Sequence, residues 1–343
     1  MIYSNTQLYL IILFIVVAIC MLRKNVVNQI PSKYYFIISL AFILLAIFRP
    51  DTMADYPDYK FFFESSVDSR FEPGFLLIRS IARYFSNPLL VGFAICALLS
   101  IPLRLFSIHK FSSWPLGSIL VYITFVLVYH DMITIRAAIS SSLLPFVLYS
   151  KISRNYKLFI LSILAAILFH QSAFIFIVFL LISEKNPHRY LYVGILALSY
   201  ILALYGIRFG YLIGYISADS VSSLFLENYQ SNTANIFNLV QMGHILICIS
   251  GWYIIRNFES NPLELLMLKC YTIGLCLVAL LSDYLVIAYR FSQLLTVVEI
   301  LLVPFIFKSL FKNETIAKSV LLVYSIIVFY FSITSIEYWS PYL

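Results

Sequence analysis

Runs of about 20 apolar residues recur along this chain, and each is long enough to cross a hydrocarbon core about 30 Å thick. Backbone inside lipid must satisfy its own hydrogen bonds, so the expected fold is a polytopic all-α transmembrane helical bundle. Composition agrees: the chain is 62% hydrophobic and 11% charged, whereas soluble domains carry about 25% charged residues. Residues 1–343 read as one integral-membrane domain. The opening segment lacks a basic stretch before its apolar run and a small-residue cleavage site, so it reads as a retained first span.

The net charge of +7 could suggest nucleic acid in a soluble protein. Here it implies basic loops facing the cytoplasm, and no nucleic-acid partner is expected. The five cysteines, Cys20, Cys96, Cys248, Cys270 and Cys276, fall inside apolar runs with no CxxC spacing. Neither disulfides nor a cysteine metal site is expected. The sequence contains no HExxH, nucleophile elbow or clustered His/Cys set, so metal catalysis and serine hydrolysis lack support.

Ten full spans are expected, at Thr6–Leu22, Tyr34–Phe48, Pro88–Ser107, Trp114–Tyr129, Met132–Leu148, Tyr190–Ile207, Ile236–Ile255, Leu263–Leu281, Phe291–Phe307 and Ser319–Ile336. His130-Asp131 reads as the turn between two of them. Leu158–Ile182 is different, because His170-Gln171-Ser172 interrupts its centre and both flanks are basic. As a re-entrant helical pair it puts 15 of the 23 basic residues inside, Arg104 and Lys269 among them. A single crossing inverts that bias, so the re-entrant arrangement is preferred. The N-terminus and residues 49–86 then face outward. Seven of the eight outer basic residues are arginine, the cation whose planar fork matches phosphate or carboxylate.

The 49–86 loop concentrates charge that an apolar chain would not carry without a use for it. It holds Arg49, Asp51, Asp55, Asp58, Lys60, Glu64, Asp68, Arg70, Glu72, Arg79 and Arg83. Glu72-Pro73-Gly74 reads as a helix start. Glu72, Arg79 and Arg83 then share one stripe of an interfacial helix, facing water or a headgroup; the alternative is an anchor with an internal Glu–Arg pair. Arg136 lies just below the top of its span among Ala137, Ala138, Ser140, Ser141 and Ser142. It should face a wet cavity or a partner, as a substrate clamp or as a snorkelling arginine paired with Asp131. His170 is either a hydrogen-bonded structural residue or a catalyst. Asp283 and Arg290 bracket an outer turn and either pair or bind an anion. His244 and Glu299, deep in spans, could form a mutual buried contact. Tyr56, Tyr59, Tyr338, Trp339 and Tyr342 belong to the expected outer aromatic belt.

The ordered set Arg49, Asp55, Tyr59, Glu72-Pro73-Gly74-Phe75, Ile135-Arg136 with Ala138, Phe169-His170-Gln171-Ser172-Ala173 and Arg290-Phe291 resembles the EpsG-like branch of Wzy-type polysaccharide polymerases. Ala137 departs from the pattern, where glutamine is expected. The resemblance implies a GT-C-like glycosyltransferase of the bacterial plasma (inner) membrane with an extracytoplasmic active site and no cofactor or metal. Its substrates would be undecaprenyl-pyrophosphate-linked oligosaccharides among membrane lipid, with a chain-length regulator as a candidate further partner. Arg136 and Arg290 would hold the leaving pyrophosphate, Arg49 or Arg79 would assist, and Tyr59 would line the substrate site. Asp55, with Glu72 second, would take the acceptor proton, and His170 would orient or protonate. A lipid-linked oligosaccharide flippase, or another GT-C transferase or ligase, is the alternative.

Overall fold

The computed structural model describes residues 5–22, 31–65, 71–210, 234–254 and 261–335. Arg23, Lys24, Asp68, Arg70, Arg256, Tyr338, Trp339 and Tyr342 lie outside them. All described regular structure is helical. The chain divides into two compact units, Met1–Phe176 with Glu299–Trp339, and Ile177–Val298 with Ser340–Leu343.

In chain order the first unit contains α1 (Asn5–Leu22), α2 (Ser32–Ile47), α3 (Tyr56–Glu64), α4 (Pro73–Ala82), α5 (Pro88–Phe111) and α6 (Pro115–Val121). A π-helix over Tyr122–Ile133 continues α6, followed by α7 (Ile135–Ser142), α8 (Leu144–Ile152) and α9 (Tyr156–Phe169). After His170 a 3-10 helix covers Gln171–Leu180. The second unit then contributes α10 (Arg189–Leu204), α11 (Leu239–Tyr253), α12 (Pro262–Leu280) and α13 (Leu285–Thr296). The first unit ends with α14 (Glu299–Leu310) and α15 (Glu314–Ser335).

Among the described residues, four stretches are long and apolar enough to cross a membrane: Pro88–Phe111, Pro115–Ile133, Pro262–Leu280 and Glu314–Thr334. The broken pair α13 and α14 adds a fifth. The other apolar helices run 10–17 residues, so the described helices do not by their length confirm ten full spans. The expected span Met132–Leu148 is split into α7 and α8 at Leu143, where Pro145 enters the first turn of α8. Proline is tolerated there because its missing N–H would have no intrahelical partner.

His130-Asp131 is not a turn. Both residues are 1% exposed within the π-helix, and the chain breaks at Thr134 instead (φ −91°, ψ 60°). Asp131 can sit in helix because its Oδ2 meets Arg104 and Tyr122, as described below.

The described part of the 49–86 loop holds more than a single interfacial helix, since α3 precedes α4 and both pack on α5. Their shared core is aromatic: Phe62 stacks on Phe75 at 4.6 Å between ring centroids, with Tyr59, Phe63 and Phe93 around them. The polar stripe expected on α4 faces outward at Arg83 but not at Arg79. Arg79 is 5% exposed, with its guanidinium 4.9 Å above the Phe62 ring and Nη2 donating to the Ser65 carbonyl at 2.6 Å. Leu77 and Ile81 are exposed in its place. A guanidinium is weakly hydrated and stacks readily on rings, so it can lie against this core once its N–H groups find a carbonyl.

Gly74 fixes how α4 meets α9. A Cβ added there would lie 2.7 Å from the Leu168 carbonyl oxygen and 2.9 Å from the Phe169 ring. The first turn of α4 therefore rests directly on the end of α9, beside His170. On α7, Ser140 Oγ donates to the Ala166 carbonyl of α9 at 2.7 Å, so the small side chains of α7 allow two backbones to approach closely.

In the second unit α12 packs against α10, α11 and α13. Gly274 meets Thr296 of α13, and Trp252 Nε1 of α11 donates to Thr272 Oγ1 at 2.9 Å. Lys269 is fully buried and donates to the carbonyls of Ser183 and Asn186. Lys269 and Arg104 are thus interior cations and not loop charges. Removing both from the inside count leaves the direction of the charge bias unchanged. His244 Nδ1 is bonded to Tyr271 OH at 2.6 Å, which gives that buried ring a partner inside its own unit.

Candidate functional site

Glu72 is the N-cap residue of α4, with extended backbone (φ −62°, ψ 148°) and Pro73 next. A side chain at this position ordinarily turns back onto the free N–H groups of its own helix. Glu72 makes no such bond. Its Oε2 accepts from Arg136 Nη1 at 2.8 Å, and its Oε1 accepts from the Gln171 backbone N–H at 3.2 Å. His170 Nδ1 lies 3.5 Å from the same Oε1.

Arg136 is positioned by the break at Thr134, which starts α7 one residue before it. Its guanidinium lies 4.5 Å above the Phe71 ring and 5.9 Å from Phe75. The Tyr59 hydroxyl is a further hydrogen-bond partner of Arg136, and Asp55 is close enough to Tyr59 to act on it electrostatically. Asp55 is the half-buried residue preceding α3. His170 adopts extended backbone (φ −153°, ψ 110°) between α9 and the 3-10 helix, so the interruption expected there is a real break. The Arg136 side chain is 21% exposed and that of Glu72 14%, so solvent reaches the pair.

A second, fully buried group lies on α5 and the π-helix. Arg104 Nε is 3.2 Å from Asp131 Oδ2, and Tyr122 OH donates to the same oxygen at 2.8 Å. Arg104 Nη2 also donates to the Ala138 carbonyl at 3.0 Å and to Ser141 Oγ at 2.7 Å. This arginine therefore ties α5 and the π-helix to α7, the helix that carries Arg136. A long π-helix is rare and frequently marks a functional site. Arg49 closes the group: its Nη1 donates to the Met132 carbonyl at 2.7 Å, its guanidinium lies 3.9 Å above Phe93, and its Nη2 is buried with no hydrogen-bond partner.

Of the residues expected from sequence, Asp55, Tyr59, Glu72, Arg136 and His170 come together in the first unit, with Arg49 beside them. Arg136 pairs with Glu72 and not with Asp131. Arg79 stays in the same unit but is committed to Ser65 and Phe62. Arg290 lies in the second unit, exposed on α13, and Asp283 there accepts from the Gly210 backbone N–H at 2.9 Å. The Gln171 N–H and the Arg104–Asp131 pair were not anticipated. Two opposite charges embedded in apolar runs were the available signal for the second. Among the described residues no group of three or more His, Cys, Asp or Glu side chains gathers as a metal site would require.

Burial works against charge on Glu72, but the polar contact from His170 and the Arg136 guanidinium more than offset it. Its carboxyl is held well below the ordinary glutamate value of 4.5. A depressed folded-state value means the pair's stabilisation is complete above about pH 4.5 and is lost as pH falls through the lowered value. The melting temperature of the wild type should therefore fall more steeply below pH 4.5 than that of Glu72→Gln. Parallel curves would show that the pair contributes nothing.

A family model described as the EpsG family matches residues 32–343. No curated protein and no solved structure matches the chain.

Proposed function

The chain belongs to the EpsG family, whose members are Wzy-type polysaccharide polymerase-like, and on that premise we propose that it is a glycan polymerase of the bacterial plasma membrane. It transfers a growing chain from undecaprenyl pyrophosphate to the sugar of a second lipid-linked repeat unit at the outer face. The observation that carries this reading is the convergence of Arg136, Tyr59, Asp55, Glu72 and His170 in one partly solvent-reached group.

In this reading an acceptor hydroxyl oxygen attacks the anomeric carbon of the donor. The bond from that carbon to the pyrophosphate oxygen breaks, and the lipid pyrophosphate leaves with the electron pair. Arg136 stabilises the charge developing on the leaving group, where a fixed cation helps the transition state most. Arg49 assists, since it keeps one buried donor without a partner. Arg79 takes a supporting part through the aromatic core. Glu72 is held too acidic to accept a proton efficiently near neutrality, so Asp55 takes the acceptor proton. His170 orients the centre.

The same reading includes ten membrane-crossing segments and a re-entrant pair at Leu158–Ile182. Fourteen residues of α9 rise about 21 Å and bring His170 to Glu72 at the base of the outer loop. The 3-10 helix that follows exposes Phe174, Ile177 and Leu180. Such a face is unfavourable in outer water, which supports a return into lipid. A cysteine at Lys185 should then react with impermeant reagent only from the cytosol; labelling from outside would overturn the re-entrant arrangement.

Purified protein supplied with lipid-linked repeat units tests the activity. Ladders of polymer are expected. A single added sugar would make it a transferase, and lipid movement across vesicles without chemistry would make it a flippase.

A further inference from the structure

Glu72 occupies a seat shaped for an anion. Two donors from different places converge on its two oxygens, the Arg136 guanidinium of α7 and the Gln171 backbone N–H that opens the 3-10 helix, and the His170 ring, at the break before it, brings Nδ1 to 3.5 Å from Oε1. The carboxylate itself arrives from a fourth element, α4. It does so by forgoing the bond that its N-cap position offers on its own helix. A side-chain rotation would offer Glu72 a second place, the Gly74 N–H at the N-terminus of α4, since Pro73 has none and Phe75 and Leu76 already donate to the Glu72 carbonyl.

Resting on the polymerase reading, we propose that this seat receives a phosphoryl group of the lipid pyrophosphate, and that Glu72 is a placeholder which the substrate displaces. The carboxylate keeps the donors aligned and neutralised while the site is empty, which avoids leaving Arg136 uncompensated near lipid. When a diphosphate arrives, its oxygens replace Oε1 and Oε2, and Glu72 turns to the first turn of α4. Gln171 contributes through its main chain. This assigns a binding role to a residue whose side chain is not needed for it.

Two substitutions act on the seat in opposite directions. Glu72→Gln removes the competing charge, and its single amide oxygen can accept from Gln171 N–H or from Arg136 but not hold both, because an NH2 donor replaces the other oxygen. Gln171→Pro removes the N–H together with a side chain that is exposed and takes no part in the seat. Proline suits the first position of a helix, and the extended backbone of His170 is the conformation favoured before proline. Each full-length variant, purified in detergent and checked by melting temperature, is titrated with farnesyl pyrophosphate and with inorganic pyrophosphate. Glu72→Gln should bind farnesyl pyrophosphate about tenfold more tightly than wild type, and Gln171→Pro about tenfold more weakly, as loss of one charge-assisted hydrogen bond implies. Equal or weaker binding by Glu72→Gln, or unchanged binding by Gln171→Pro, would overturn the proposal. A shift shared by inorganic pyrophosphate supports a seat that reads the diphosphate alone. A shift confined to the prenyl compound supports one that reads the lipid headgroup. Wild-type protein that binds but builds no ladder would sink the polymerase reading and leave the seat standing; ladders without these shifts would do the reverse.

Discussion

Membranes carrying Arg136→Ala should hold the protein at normal abundance and contain no long glycan. The expected loss is about 10²–10³-fold in transfer rate, the scale reported by removing one preorganised donor from a developing negative charge. Abundance should survive because the Glu72–Arg136 pair is reached by solvent. Glu72 also keeps the Gln171 N–H and can turn to its own helix. Arg136→Lys sharpens the test. It retains a cation opposite Glu72 but gives up the planar fork and the stacking on Phe71. If the guanidinium acts as a bidentate clamp, the lysine variant should match wild type in melting temperature and fall well short of it in chain length. If charge alone matters, chain length should recover. Normal glycan from Arg136→Ala would remove the clamp role altogether. Asp55→Ala offers the complementary measurement: the same loss of long chains, with pyrophosphate binding preserved because the acceptor base is not part of the seat.

Much of this group was legible because lipid makes charge conspicuous. Arg49, Glu72, Arg136 and His170 stand out against apolar neighbours, and their order along the chain suffices to nominate them. Glu72-Pro73-Gly74 also announces its local structure, since proline starts a helix and glycine permits the contact with Leu168 and Phe169. Arg79 was harder. Helical spacing puts it on a stripe with Glu72, but spacing cannot tell that Phe62 and the Ser65 carbonyl wait on that side. Helix length leaves the number of full spans unconfirmed for a related reason. Hydropathy averages over a window and does not register Thr134, Leu143 or His170, where a short helix ends on a backbone kink. His130-Asp131 looked like a turn because two polar residues between apolar runs usually are one. Only a distant partner could change that reading. Arg104 lies 27 residues earlier, so no local pattern reveals it.

That partner carries the second large effect. Arg104 is 3% exposed, shut off from water and headgroups, so its charge depends on Asp131. Breaking such a pair by removing one member costs about 3–5 kcal/mol, because the other remains buried and uncompensated. Arg104→Ala and Asp131→Leu should each leave most of the protein aggregated on extraction, read by fluorescence-detected size exclusion after a short heat step. The double variant Arg104→Met/Asp131→Leu should regain most of that loss, since two apolar side chains can fill the space without charge. Additive destabilisation in the double variant would show that the two residues do not act as a pair. Stability, however, is not the whole of Arg104's work. Its Nη2 also holds the Ala138 carbonyl and Ser141 Oγ of α7, two residues and five residues past Arg136, and methionine cannot replace those bonds. The rescued double variant should therefore be well folded yet bind farnesyl pyrophosphate more weakly, because α7 no longer has a fixed angle at the Thr134 break. Restoring the fold would then separate two roles that the single variants confound: neutralising a buried charge, and aiming a guanidinium on the next helix.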